Sequence, residues 1–423
     1  LDPLMTREAL DRACELVEML DAGDVIDEVI DIDSSDKTRK KIHLDVDWIN
    51  TYINTSLSRR EMEKILESLC FEIKLHDVIV PSFRSDIETK YDLSEEIARI
   101  YGYDNIKPES FKSEASGGGY TDEQKFVIKL NESLRAAGLS EIFTYTFIGP
   151  KAFDKIRVPE NDARRNYLKI SNPLGEDTSI MRTTTLPSML EILSKNYNNR
   201  NPEAYLYELG KVFEKTSDET LPNEKTVVTV GFYDNSGVPD FFTLKGMIES
   251  VVAAMNIKNV SFIPCTDNAS YHPGRCAALL SDGEKIGVFG EIHPMVAENY
   301  GIDKKVYCAE IALEKLYASV GEEKKYKPVP KHPASTRDLG LLCKDEVYNA
   351  DIVDIIKTAG GKHLESVKLF DIYTGKQVAP GYKSLAYSLV FRKEDGTFAD
   401  TEIDAFISKI LAALAEKGIT LRQ

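Results

Sequence analysis

The chain has 423 residues, 42% hydrophobic and 29% charged, more than one hydrophobic core usually carries, so several domains are expected. Its 53 basic side chains stand against 69 acidic ones, a net charge of −16 that argues against a protein coating nucleic acid over its whole surface. No apolar run reaches the roughly 18 residues a membrane helix needs, and six cysteines without CxxC spacing point to a reducing cytosol rather than a zinc ribbon or redox pair.

Leu1 opens the chain where Met would stand, close to a helix already in progress, so a longer polypeptide is expected upstream. Leu10, Cys14, Leu16, Val17 and Leu20 recur at helical spacing and predict a helix over 6–20. The polar stretch 31–41 reads as a junction. Ser58 caps a second predicted helix over 58–69, with Met62, Ile65, Leu66 and Leu69 on one face. A short strand at 78–81 enters a proline, and a further helix is predicted over 92–103. Helices with a strand wing make a small winged-helix-like module.

The glycine-rich segment 113–119 and the run GEEKKYKPVPKHP at 321–333 read as linkers, dividing the chain into 1–40, 41–112, 113–327 and 328–423. Residues 1–110 hold 14 basic and 26 acidic side chains, whereas 328–423 hold 13 of each. The acidity therefore belongs to the N-terminal quarter. The third segment alternates helices at 122–137, 186–197 and 242–255 with strands at 141–147, 204–213, 227–233 and 275–280, an α+β pattern on an antiparallel sheet. The fourth reads strand 336–343, helix 350–359, strands 364–373 and 383–391, helix 401–417 and a closing edge strand at 418–422. That order is βαββαβ, the ferredoxin-like split unit.

The densest chemistry lies at 81–106, PSFRSDIETKYDLSEEIARIYGYDNI. Asp86, Asp92, Glu95 and Glu96 fall within eleven positions, and carboxylates so grouped can meet one hard cation such as Mg²⁺. The same spacing also reads without a metal, with Asp92-x-x-Glu95 as a helix cap and Glu95–Arg99 as an i,i+4 ion pair.

This segment closely resembles the B5 module in the β subunit of bacterial phenylalanyl-tRNA synthetase. The remainder agrees in order. IHLDVDWINTYIN resembles the opening of the same module, and NPLGEDTSIMRTTTLPSML, YLYELGKVFE, YHPGRCA and GVFGEIHP resemble the family's B6–B7 core. PASTRDLGL, LFDIYTG and KSLAYSLVFR resemble its ferredoxin-fold anticodon-binding domain, and the first ~35 residues the end of its B3/B4 editing domain. The resemblance implies a magnesium ion, shared with the α subunit, on Asp86, Asp92, Glu95 and Glu96. It further implies an (αβ)₂ heterotetramer, ATP use by the holoenzyme, and contact with tRNA(Phe) through the last domain, with no DNA or membrane partner.

The core resembles a class II synthetase fold without its catalytic arginines, so no catalytic residue is expected. Such chemistry needs arginine to stabilise charge on the ATP phosphates. Ala204–Gly210 holds Glu208 and no arginine, and none occurs between Arg275 and Arg337. Arg182 reads as the partner of a core-edge carboxylate, and His272, Cys276 and His293 as turn and core residues rather than zinc ligands. In the last domain Phe370, Tyr373, Tyr382, Lys383 and Arg392 mix aromatic and basic character, with Phe370 expected on the inner face of the sheet. Its loop Glu394–Phe398 is one positive charge short of the family pattern. Two other functions use the same features: a nucleic-acid-binding regulator, which calls for a basic helix where 92–103 is acidic, and a stand-alone amino-acid-binding protein with a degenerate class II pocket.

Overall fold

The computed structural model describes residues 2–422 except 27, 111, 115, 116, 218, 219, 323, 327, 376, 377 and 394. Parts of both expected linkers and Glu394 of the C-terminal loop thus lie outside the described residues. The chain folds as two compact units, Leu1–Gly117 and Gly118–Gln423.

In the first unit, α1 (Thr6–Met19) buries none of its residues. A small domain follows, made of β1 (Lys41–His43), α2 (Val46–Ile53), α3 (Arg59–Ser68), β2 (Glu72–Lys74), β3 (Asp77–Ile79) and α4 (Lys90–Tyr101). Its antiparallel sheet has the order β1–β3–β2, with Ile42 opposite Val78 and Ile73 also opposite Val78. Ile49, Met62, Leu66, Val78, Leu93 and Ile97 close the core. Ser58 and Glu61 form the capping box that starts α3.

The second unit begins with α5 (Asp122–Ala136), β4 (Ser140–Glu141), β5 (Phe147–Ile148), α6 (Lys151–Lys155), β6 (Ile180–Met181) and α7 (Leu186–Asn198). It continues through β7 (Glu203–Glu214), β8 (Asn223–Asp234), α8 (Phe241–Ala254), β9 (Val260–Pro264), β10 (Tyr271–Ser281), β11 (Glu284–Ile292), α9 (Pro294–Asn299), β12 (Val306–Ala312) and α10 (Leu313–Ala318). Seven of these strands form one sheet, β4–β7–β8–β12–β11–β10–β9, antiparallel except where β4 meets β7. Alternation along the strands serves two cores. Tyr207, Phe232 and Ala309 join Leu130, Leu134 and Ile248 of α5 and α8, whereas Leu206, Tyr233 and Cys308 join Met189, Leu190 and Leu193 of α7.

Two sequence expectations change here. Residues 141–147 are not one strand, because between β4 and β5 the backbone N–H of Thr144 turns to the buried carboxylate of Glu208 (3.0 Å). His272–Arg275 lies within β10 as a register shift between Tyr271 and Cys276, not as a turn between elements.

The last domain is β13 (Ser335–Lys344), α11 (Asn349–Gly360), β14 (Leu364–Tyr373), β15 (Tyr382–Phe391), α12 (Asp400–Ala415) and β16 (Thr420–Leu421). The strand order β14–β15–β13–β16 is the ferredoxin-like arrangement. Leu341, Leu385, Tyr387 and Leu389 face Ile352, Ile356, Ile403 and Ile410 of the two helices, leaving the other sheet face open.

One ion pair organises the centre of the second unit. Arg182, 1% exposed, meets Glu208, 2% exposed, at 3.2 Å. Arg182 also donates to the carbonyl of Lys211 (2.8 Å) and to Thr144 (2.7 Å) and Ser188 (3.2 Å), while Glu208 accepts from Thr144 Oγ1 (2.8 Å). A Cβ on Gly210 would lie 2.5 Å from the Arg182 guanidinium, so glycine is required there. Removing one partner of a buried ion pair strands the other charge, so Glu208→Ala is expected to destabilise by about 3–5 kcal/mol. A lowered urea midpoint of the far-UV transition reads this loss, and Gly210→Ala should shift it in the same direction.

Candidate functional site

The four carboxylates at 86–96 sit around the start of α4. Thr89 caps that helix in extended conformation, so it begins at Lys90, two residues before the sequence expectation. Asp92 is consequently the third helical residue and closes the capping box backwards, rather than capping toward Glu95. Its Oδ2 accepts from the N–H of Glu88 (2.8 Å), the N–H of Thr89 (2.6 Å) and Thr89 Oγ1 (2.9 Å). The Glu88 N–H, the Thr89 N–H and the Thr89 hydroxyl, in that order, hold the Asp92 carboxyl below its ordinary range.

Arg84 ties two of the others together. Its guanidinium forks onto Asp86, at 2.9 Å to Oδ1 and 2.7 Å to Oδ2, and onto Glu96, at 2.9 Å and 3.1 Å. Arg99 adds a 2.7 Å bond to Glu96 Oε2. Glu96 is buried, and Arg84 above all lowers its pKa against the opposing effect of burial. Glu95, the preceding residue on the helix, is exposed, and its side chain makes no hydrogen bond among the described residues.

The donor set is chemically that of a hard-cation site, but its oxygens are committed elsewhere. Among the described residues, no group of three or more His, Cys, Asp or Glu side chains is arranged to hold a metal ion. Asp86 and Glu96 meet through Arg84, Asp92 turns to the backbone, and Glu95 stands apart. As arranged, the four do not fit a single ion; two arginines supply the positive charge. Sequence reasoning passed over Arg84, although an arginine two residues before Asp86 was a readable signal.

In the core of the second unit, the polar groups of the IMRTTTLP and YLYELG motifs engage one another and the backbone. Arg182 is sealed inside the sheet, and its partner is the glutamate of YLYELG. The three threonines after it are equally structural. Thr183 donates to the carbonyl of Arg164 (2.6 Å), Thr184 donates to Glu310 (2.6 Å), and Thr185 bonds both Glu310 (3.1 Å) and Thr229. Arg275 is held by buried Glu291 at 2.5 and 2.8 Å. His272 and His293 accept from the N–H groups of Gly274 (3.0 Å) and Met295 (3.2 Å), which gives both a local role.

The open face of the C-terminal sheet has a different character. Tyr373 stands opposite Ser384, and Arg422 lies beside Gly340, where a Cβ would come 3.7 Å from its own. Both side chains extend over small residues, and the guanidinium reaches 5.3 Å from the centre of the Tyr373 ring. Asp371 and Lys368, opposite Ala386 and Ser388, share this face. Phe370 is not on the inner face as expected. It occupies the register shift between Leu369 and Asp371 and is 54% exposed. Arg392 pairs with Glu365 (2.7 Å) and Lys383 donates to the carbonyl of Asp345 (2.7 Å), so neither belongs to the platform.

Comparison with known proteins gives a consistent assignment. Residues 42–103 match the tRNA synthetase B5 domain, 106–313 the phenylalanyl tRNA synthetase beta chain CLM domain, and 330–422 the ferredoxin-fold anticodon binding domain. The phenylalanine–tRNA ligase beta subunit of Clostridium tetani is 43% identical over 428 aligned positions, covering 100% of this chain and 54% of that protein. That of Clostridium acetobutylicum is 40% identical, covering 98% and 52%. The chain spans about half the length of these curated relatives.

The Arg84–Glu96 pair sets a pH dependence. Because the folded Glu96 carboxyl titrates below its ordinary 4.5, its contribution is complete above about pH 4.5 and is lost as pH falls through the lower folded value. Glu96→Gln should cost about 1–3 kcal/mol near neutrality by leaving Arg84 under-partnered. The variant should also lose less of its melting temperature than the parent between pH 7 and pH 3, as read by circular dichroism.

Proposed function

Because the chain belongs to the phenylalanine–tRNA ligase β-subunit family, we propose that it is the C-terminal part of the non-catalytic subunit of an (αβ)₂ enzyme. In this reading the α subunit attaches phenylalanine to tRNA(Phe) with ATP. This chain supports the reaction by assembly through its B5 and core domains and by tRNA contact through its last domain. Residues 1–40 then form the tail of the editing domain and its linker, 41–112 the B5 domain, 113–327 the core and 328–423 the anticodon-binding domain. The reading places the chain in the cytoplasm; no helix among the described residues is long and apolar enough to cross a membrane.

The observation that carries the tRNA role is the open sheet face bearing Tyr373 and Arg422 over Gly340 and Ser384. Single-stranded RNA loops are gripped by aromatic stacking and arginine planes on such a surface. The neutral balance of residues 328–423, against the acidic first quarter, removes the long-range repulsion that net charge implied. Magnesium shared with the α subunit is proposed at Asp86, Asp92, Glu95 and Glu96, on the condition that assembly draws Arg84 away from Asp86 or Glu96. In the chain alone, Arg84 supplies the charge that the ion would bring.

Two experiments test this reading. Co-expression with the cognate α subunit should give one stable complex by size exclusion, weakened when Glu95 and Glu96 are both changed to Lys; failure of the unaltered pair to associate would refute it. Tyr373→Ala should weaken tRNA(Phe) binding to the complex about fivefold or more, since one stacked base contributes about 1–3 kcal/mol, while Tyr373→Phe should bind normally.

A further inference from the structure

The large sheet of the second unit brings two free thiols face to face at its edge. β9 is the edge strand, and Cys265 follows its last residue, Pro264. Pro264 stands opposite Ala277, and one residue further on the N–H of Cys265 donates to the carbonyl of Cys276 (3.0 Å). The two cysteines are therefore cross-strand partners. Both join the core shared with α7, so their side chains lie on one face of the sheet. Opposed Cα atoms in such a hydrogen-bonded pair are about 5.5 Å apart, within the roughly 4.4–6.8 Å that a disulfide spans.

The surroundings supply what closure needs. Cys265 Sγ donates to Asp267 Oδ1 (3.1 Å), which gives the thiol proton an acceptor. Burial, the largest effect, pushes both thiols above their ordinary range and keeps the pair protonated and slow to react at rest. The Lys285 ammonium opposes burial at both and favours the thiolate. With Cys265 5% and Cys276 6% exposed, a small neutral oxidant has access ahead of a bulky disulfide reagent.

We propose that Cys265 and Cys276 form a peroxide-sensitive modification site that closes to a cross-strand disulfide. The Cys265 thiolate attacks one oxygen of hydrogen peroxide, the O–O bond breaks and hydroxide leaves, giving a sulfenic acid. The Cys276 thiolate attacks that sulfur, the S–S bond forms and a second hydroxide leaves. The two thiol protons convert both hydroxides to water, so two thiols and one peroxide give one disulfide and two waters. The bridge closes the neck of the loop 266–275 and fastens the edge strand to β10.

Trypsin cleaves after Arg275 and so separates the two cysteines, leaving Cys265 in 259–275 and Cys276 in 276–285. Treating the folded full chain with hydrogen peroxide should yield these two peptides joined, two hydrogens lighter than their sum, and dithiothreitol should part them. Closure should raise the melting temperature by about 5 °C. The Cys276→Ser variant, with unchanged circular dichroism, should gain no such shift and should leave Cys265 as a sulfenic acid that dimedone traps. The proposal is overturned if no joined pair forms, if it forms only once urea has unfolded the chain, or if Cys276→Ser gains the same thermal shift.

Discussion

The buried contact between Arg182 and Glu208 is the constraint around which the second unit is built. A guanidinium and a carboxylate sealed from water require every remaining donor and acceptor to be satisfied. Thr144, Ser188, the Lys211 carbonyl and the absent side chain of Gly210 meet that requirement from separate parts of the chain. The pair therefore fixes the irregular stretch after β4, the start of α7 and the middle of β7 against one another. It also decides chemistry, because an arginine enclosed in this way cannot approach a phosphate. The core uses its central arginine to hold its sheet together.

The same economy governs the first unit. Four carboxylates near one helix start would repel one another without compensation. Arg84 forks between Asp86 and Glu96, Arg99 adds to Glu96, and the backbone before α4 absorbs Asp92. Glu95 alone of the four meets neither an arginine nor the backbone with its side chain among the described residues, and it faces water, as Asp86 also does. Acidity that looked like an obstacle to RNA contact is thus local and partly neutralised. The last domain, by contrast, has balanced charge and an open sheet face.

Much of this was legible in the sequence, for identifiable reasons. Ser58 announced α3, and the period-two pattern of Leu364–Tyr373 and Lys383–Phe391 gave β14 and β15 within one residue. What could not be read were competitions between partners for one group. The apolar alternation at 141–147 promised a strand, but Glu208 captures the Thr144 N–H from across the fold. Asp92 could cap forward or backward, and Thr89, with both its N–H and its hydroxyl, drew it back. Phe370 kept the strand's alternation in sequence yet fell on a register shift that turns it outward. The carboxylate spacing singled out this segment without revealing that a neighbouring arginine engages two of its members.

The proposed function holds that this core is silent, with its central arginine structural. Phenylalanine-dependent ATP–pyrophosphate exchange by the purified chain, at saturating amino acid and ATP, tests it most directly. No exchange above the blank is the result this account requires. Exchange that depends on phenylalanine and disappears in a folded Arg182 variant would contradict it.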